Sequence, residues 1–212
     1  MIREHLQKPT GKLTEADLQK VTKLGGPYDK LLDDKLTDLK GLEDLTSLRY
    51  LNLNGHGLTD VKGLENLTQL TELGLNENQL TNIKGLANLT QLKVLSLIDN
   101  NLADVKGLEK LTNLEQLLLS NNNLTDVKGL ENLTRLIYLS LVSNKLISVT
   151  GLEKLTQLTE LNLHDNQLTD VKGLEKLTQL KKLDLDFNPD LSKAQIDQLK
   201  KALPKCHILS RR

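Results

Sequence analysis

The chain repeats itself every 22 residues. LTDVKGLENLTQL at 58–70 returns as LADVKGLEKLTNL at 102–114, LTDVKGLENLTRL at 124–136 and LTDVKGLEKLTQL at 168–180. Units begin at Leu36, Leu58, Leu80, Leu102, Leu124, Leu146 and Leu168, with no insertion or deletion between them. A fixed period of this length restricts the fold to stacked turns. One unit cannot bury its own leucines, whereas neighbours in register share a continuous core.

Within each unit the apolar spacing changes. At 50–54 the order is Tyr-Leu-Asn-Leu-Asn, and alternation with period two marks a strand with one buried face. Leu51 and Leu53 then point inward, and Tyr50, Asn52 and Asn54 outward. Val61, Leu64, Leu67 and Leu70 fall three apart, which suits a return path of tight 3₁₀-like turns. Gly63 and its equivalents supply a backbone conformation that other residues resist. Asn78, Asn100, Asn122, Asn144, Asn166 and Asn188 recur where the strand turns inward. There a buried amide can bond backbone groups that the turn leaves unpaired. His56 takes that place in the first unit, so the ladder ends there.

The consensus contains L-x-x-L-x-L-x-x-N, as at Leu70, Leu73, Leu75 and Asn78. This resembles the leucine-rich repeat family in its short 22-residue, bacterial internalin-like form, over roughly residues 21–209. The resemblance implies an α/β leucine-rich repeat solenoid. A curved parallel β-sheet would line the concave face, with short 3₁₀, helical or turn segments on the convex face and helical caps at both ends. It also implies a ligand-binding scaffold without catalysis or cofactor. We expect a single domain over 1–212, with an N-terminal cap and degenerate first turn at 1–35, seven repeats at 36–189 and a C-terminal helical cap at 190–212.

Cap signals stand at both ends. Thr14 as N-cap, with Asp17 three residues on and Leu18, Val21 and Leu24 on one side, predicts a helix over 13–24, whose VTKL end can instead be a degenerate first strand. After Pro189, Ser192 is the expected N-cap of a helix carrying Ile196, Leu199 and Leu203 as its apolar stripe. Cys206 reads as a packing thiol. The interval from Leu24 to Leu36 is 12 residues against 7 from Leu51 to Leu58, so GGPYDKLLDDK should form an extra loop. Leu31 and Leu32 would cover the first core layer, with Tyr28 as a candidate ligand contact.

The thirteen near-constant residues of each unit serve the joins between turns, and the nine that drift carry the strand. Three outward rows follow: Tyr50, Glu72, Val94, Gln116, Tyr138, Glu160, Lys182; then Asn52, Gly74, Ser96, Leu118, Ser140, Asn162, Asp184; then Asn54, Asn76, Ile98, Ser120, Val142, His164, Asp186. Val94, Ile98, Leu118, Tyr138 and Val142 gather at the centre, where we expect solvent exposure, with polar flanks. That is the layout of a protein-binding patch, and tyrosine is a favoured anchor there. The competing explanation is that β-branched and aromatic residues simply suit strands. The binding residues expected are these apolar five with Tyr50, Glu72, Gln116, Glu160, His164, Lys182, Asp184 and Asp186.

Catalytic machinery is not legible. His164 beside Asp186 is an acid–base pair in principle, but no nucleophile, phosphate loop or pocket accompanies it. A metal or small-molecule activity at His164, Asp184 and Asp186 is the rival reading, although their spacing matches no recognised ligand motif. We read the group as surface charge for a partner and expect no metal and no cofactor. The Asp, Lys and Glu of TDVKGLE read as a solubilising convex surface.

Composition limits the partners. Lys+Arg and Asp+Glu are both 28, which lacks the basic surplus of a nucleic-acid binder. No run of 18 apolar residues occurs, so no membrane insertion is expected. One cysteine permits no internal disulfide. The expectation is therefore a cytoplasmic protein-interaction module, with secretion left open if a signal segment was removed. It would be a monomer, or a homodimer through the concave face, with an unidentified protein as partner. Near-identical units also fit an engineered consensus scaffold with no native ligand.

Overall fold

The computed structural model describes residues 14–25, 39 and 41–211. Nine short parallel strands form one sheet in strict chain order. They are β1 (Lys23–Leu24), β2 (Tyr50–Asn52), β3 (Glu72–Gly74), β4 (Val94–Ser96), β5 (Gln116–Leu118), β6 (Tyr138–Ser140), β7 (Glu160–Asn162), β8 (Lys182–Asp184) and β9 (His207–Leu209). From β2 to β8 the register advances by one repeat at each join, so Tyr50 pairs with Glu72, Glu72 with Val94 and Gln116 with Tyr138. Equivalent letters therefore stack in rows about 4.8 Å apart.

The core is a column of leucine. Leu64, Leu67, Leu70, Leu75, Leu108, Leu111 and Leu114 have no measurable exposure, and their equivalents are buried too. The return path runs through i+3 to i hydrogen bonds between the same leucines: Leu64 N–H donates to Val61 O, Leu67 to Leu64 O and Leu70 to Leu67 O. Spacing three in the sequence is thus both the apolar period and the hydrogen-bond period. Regular 3₁₀ helix forms at Lys84–Leu86 and Leu174–Lys176. The repeated glycine has φ between +92° and +108° at Gly41, Gly63, Gly107, Gly129, Gly151 and Gly173. Gly85, inside the first of these 3₁₀ segments, is not left-handed.

The asparagine ladder holds the joins. Asn122 Oδ1 accepts the N–H of Leu102 at 3.0 Å, while its Nδ2 donates to Leu97 O, Leu119 O and Ser120 O. The same set recurs at Asn78, Asn100, Asn144, Asn166 and Asn188. His56 ends the row in a buried place, and burial holds its imidazole pKa below the ordinary value.

The convex charges are structural as well as solubilising. Asp60, Asp104, Asp126 and Asp170 each accept the backbone N–H two residues on, from Lys62, Lys106, Lys128 and Lys172. Glu65, Glu109, Glu131, Glu153 and Glu175 accept the N–H of the left-handed glycine two residues before them. Where Ala87 replaces that glutamate, the 3₁₀ segment Lys84–Leu86 replaces the left-handed glycine.

Both caps are present and one is shorter than expected. The N-terminal helix α1 spans only Glu15–Leu18, closed by a capping box between Thr14 and Asp17. The VTKL segment is strand: Lys23 and Leu24 pair with Tyr50 and Leu51. Edge pairing with β2 and burial of Val21 and Leu24 outweigh four further helical residues. The C-terminal helix α2, Lys193–Ala202, has Ser192 as N-cap in a capping box with Gln195, and Ile196, Leu199 and Leu203 are buried. Cys206 packs half-buried against the core. The loop GGPYDKLLDDK beyond Gly25, with Tyr28, Leu31 and Leu32, lies outside the described residues, as does Leu36.

Candidate functional site on the concave face

From β2 to β8 each strand buries its central leucine and sets its flanking residues on the sheet surface. The stacked register fixes what lies beside what: Val94 next to Gln116 next to Tyr138, and Ser96 next to Leu118 next to Ser140. Val94, Ile98, Leu118, Tyr138 and Val142 are all half-buried, not fully exposed. Strands one ladder spacing apart leave each side chain shaded by the copies on either side. Ser140 drops to 4% exposure, where its Oγ lies 2.8 Å from Ser120 Oγ. A half-exposed apolar strip results, its five side chains staggered over β4 to β6 among Ser96, Gln116, Ser120 and Ser140.

Sequence reasoning missed one exposed apolar residue beside β6. Ile137, immediately before β6, is 43% exposed in a row otherwise filled by Arg49, Thr71, Lys93, Glu115, Thr159 and Lys181. Its departure from that polar row was the available signal. Tyr50, Glu72, Gln116, Glu160 and Lys182 stand outward on the sheet as expected. The Asn54 and Asn76 amides are partly committed to backbone: Asn54 Oδ1 accepts Asn76 N–H, and Asn76 Oδ1 accepts Ser96 Oγ and Ile98 N–H.

Asp186 differs from expectation. It is not an outward binding residue but has no exposure at all, because the segment following β9 crosses over it. Arg211 backbone N–H and Nε both donate to its carboxylate, the latter at 2.7 Å. Burial pushes its pKa up, but the Arg211 hydrogen bonds and charge more than offset this, so it lies below the ordinary carboxylate value. His164 Nδ1 faces Asp184 Oδ1 at 3.7 Å, and its ring meets Phe187 edge-on with centroids 4.9 Å apart. Two cavities, of about 310 and 450 Å³, lie against α2, away from the apolar strip. Among the described residues no helix is long and apolar enough to cross a membrane.

The period, the asparagine ladder and the sequential parallel sheet define a class, and the comparisons agree. A family model described as Leucine Rich repeats (2 copies) matches residues 68–110, 112–154 and 156–201. The chain belongs to the leucine-rich repeat family, in its internalin-like form. An internalin (inlF) of Listeria monocytogenes is 32% identical over 99% of this chain and 73% of its own, with a TM-score of 0.80. Internalin C2 of the same organism is 30% identical over 99% of this chain and 90% of its own, with a TM-score of 0.86. A leucine-rich repeat protein of Leptospira interrogans is 35% identical over 79% of this chain and 44% of its own, at TM-score 0.73. No curated protein matches.

Proposed function

We propose that the chain is a non-catalytic protein-binding module whose partner lies against the concave sheet, over Val94, Ile98, Leu118, Tyr138 and Val142. Tyr50, Glu72, Gln116, Glu160, His164, Lys182 and Asp184 form its polar surround. The observation that carries this reading is the gathering of the five apolar side chains on three adjacent turns, each half open to solvent. Strand propensity accounts for each residue singly but not for their gathering on neighbouring turns with polar ends. Tyr138 is the central anchor, since an aromatic in a shaded, partly desolvated place contributes most on burial. The proposed setting is cytoplasmic, where the single half-buried thiol of Cys206 stays reduced.

The test is a pulldown with the parent protein beside a variant carrying Leu118→Glu, Tyr138→Glu and Val142→Glu, its fold verified by circular dichroism. A partner retained by the parent and lost by the folded variant supports the reading. Identical captures from both, or none from either, refute the strip as the site.

A further inference from the structure

Three ligand-type side chains of the last turns converge beyond the apolar strip. The register that sets Asn162 beside Asp184 brings His164, just after β7, to the end of β8. One donor atom each from His164, Asp184 and Asp186 lie within 4.8 Å of one another. Some point is therefore within about 2.8 Å of all three, against the ~2.0–2.2 Å that zinc bonds need, a gap that the partly exposed His164 and Asp184 side chains would close.

Each group is held by a different contact. The Asp186 backbone N–H donates to Asp184 Oδ1 at 3.0 Å. The imidazole is braced against Phe187. Arg211 donates to both oxygens of the buried Asp186, yet each carboxylate oxygen has a second lone pair. Two carboxylates against one guanidinium leave the cluster with a net negative charge while His164 is neutral. Equivalent places in the other turns hold Asn, Ser, Gly, Leu, Ile and Val, so this donor set occurs at one position along the solenoid. Phe187, with φ +57°, is likewise the one aromatic in a row otherwise of small or polar residues.

We propose that His164, Asp184 and Asp186 form a zinc-class divalent metal site at the C-terminal end of the concave face. One imidazole nitrogen and two carboxylate oxygens suit a borderline ion such as zinc, whereas calcium and magnesium ask for six or more oxygens. Three protein ligands leave a four-coordinate zinc one position for water or a partner's carboxylate or imidazole. The site stands whether or not the apolar strip binds a protein.

The experiment is calorimetric titration of zinc chloride into chelator-treated full chain, with circular dichroism of every variant. One saturable site per chain is expected. His164→Gln and Asp184→Asn, which keep side-chain size and an acceptor oxygen, should each weaken it by more than the ~10–100-fold cost of losing a mere supporting partner. Cys206→Ser should leave it unchanged, which separates it from a thiol site beside His207. No saturable binding to the parent, or binding undiminished in folded His164→Gln and Asp184→Asn, overturns the proposal.

Discussion

The asparagine ladder makes a quantitative claim about coupling between turns. Asn122→Ala strips the Leu102 N–H of its side-chain acceptor, and Leu102 is fully buried. An orphaned buried donor costs about 1–3 kcal/mol, and losing the three donations by Nδ2 adds about half as much again, so ~1.5–4.5 kcal/mol in all. The carbonyls are better protected than the amide. Leu97 O receives both Asn100 Nδ2, at 3.2 Å, and Asn122 Nδ2, at 2.9 Å. Either single substitution leaves that carbonyl one side-chain donor, and only the double variant leaves it none. Asn100→Ala with Asn122→Ala should therefore cost more than the sum of the singles, by about 1–2 kcal/mol. Asn78 and Asn144 share no carbonyl, and that pair should add within about 0.5 kcal/mol. Urea unfolding followed by circular dichroism measures both cycles, with a constant m value as the check on cooperativity. Equal coupling in the two cycles would refute the shared-carbonyl argument.

Two further outcomes follow from the joins and the cap. Gly129→Ala, at φ +107° with its nearest foreign atom 3.4 Å from the new Cβ, should lose roughly 1–3 kcal/mol through backbone strain alone. Gly107→Ala adds a backbone clash, 2.7 Å from Ile83 O and 2.8 Å from Lys84 Cα, so its melting temperature should fall further. Asp186 has a depressed folded pKa, so its contribution is whole above the unfolded carboxylate value of 3.8 and is lost as pH falls through the folded one. Hydrogen exchange of β9 should therefore rise on acidification below about pH 4. In Arg211→Gln, whose Asp186 lacks the guanidinium that lowers its pKa, that acid-dependent rise should be smaller.

Much of this architecture is legible in the letters because a repeat states each contact many times. The strand at Leu51 and Leu53, the spacing-three return through Val61, Leu64 and Leu67, and the amide of Asn78 all answer demands that recur at every join. What escaped notice falls into two physical kinds. Asp60 and Glu65 looked like surface charge because charge is also what a solvated face carries, and their backbone bonds are visible only once Lys62 and Gly63 are placed. The exception at Ala87, where glutamate and the left-handed glycine disappear together, was the clue available. The other kind belongs to the ends. Asp186 shares a row with Asn54 and His164, yet β9 and Arg211 cover it, and no earlier turn has a neighbour of that sort. His-Ile-Leu after α2 is too short a run to announce a strand. At the candidate site the rows were readable from the period, but shading of Leu118 and Tyr138 by adjacent strands was not, since exposure depends on what stands on either side.

The uniform joins have one further consequence. Because the left-handed glycine and the asparagine amide make nearly the same join at turn after turn, the solenoid works as a ruler graduated in whole strands. Splicing one 22-residue copy between Lys145 and Leu146 would carry His164 about 4.8 Å farther from Tyr138. Neither surface would be disturbed internally. Distance between two recognition elements on this face is thus inherited in discrete steps, by duplication or loss of a turn, independently of what either element contacts.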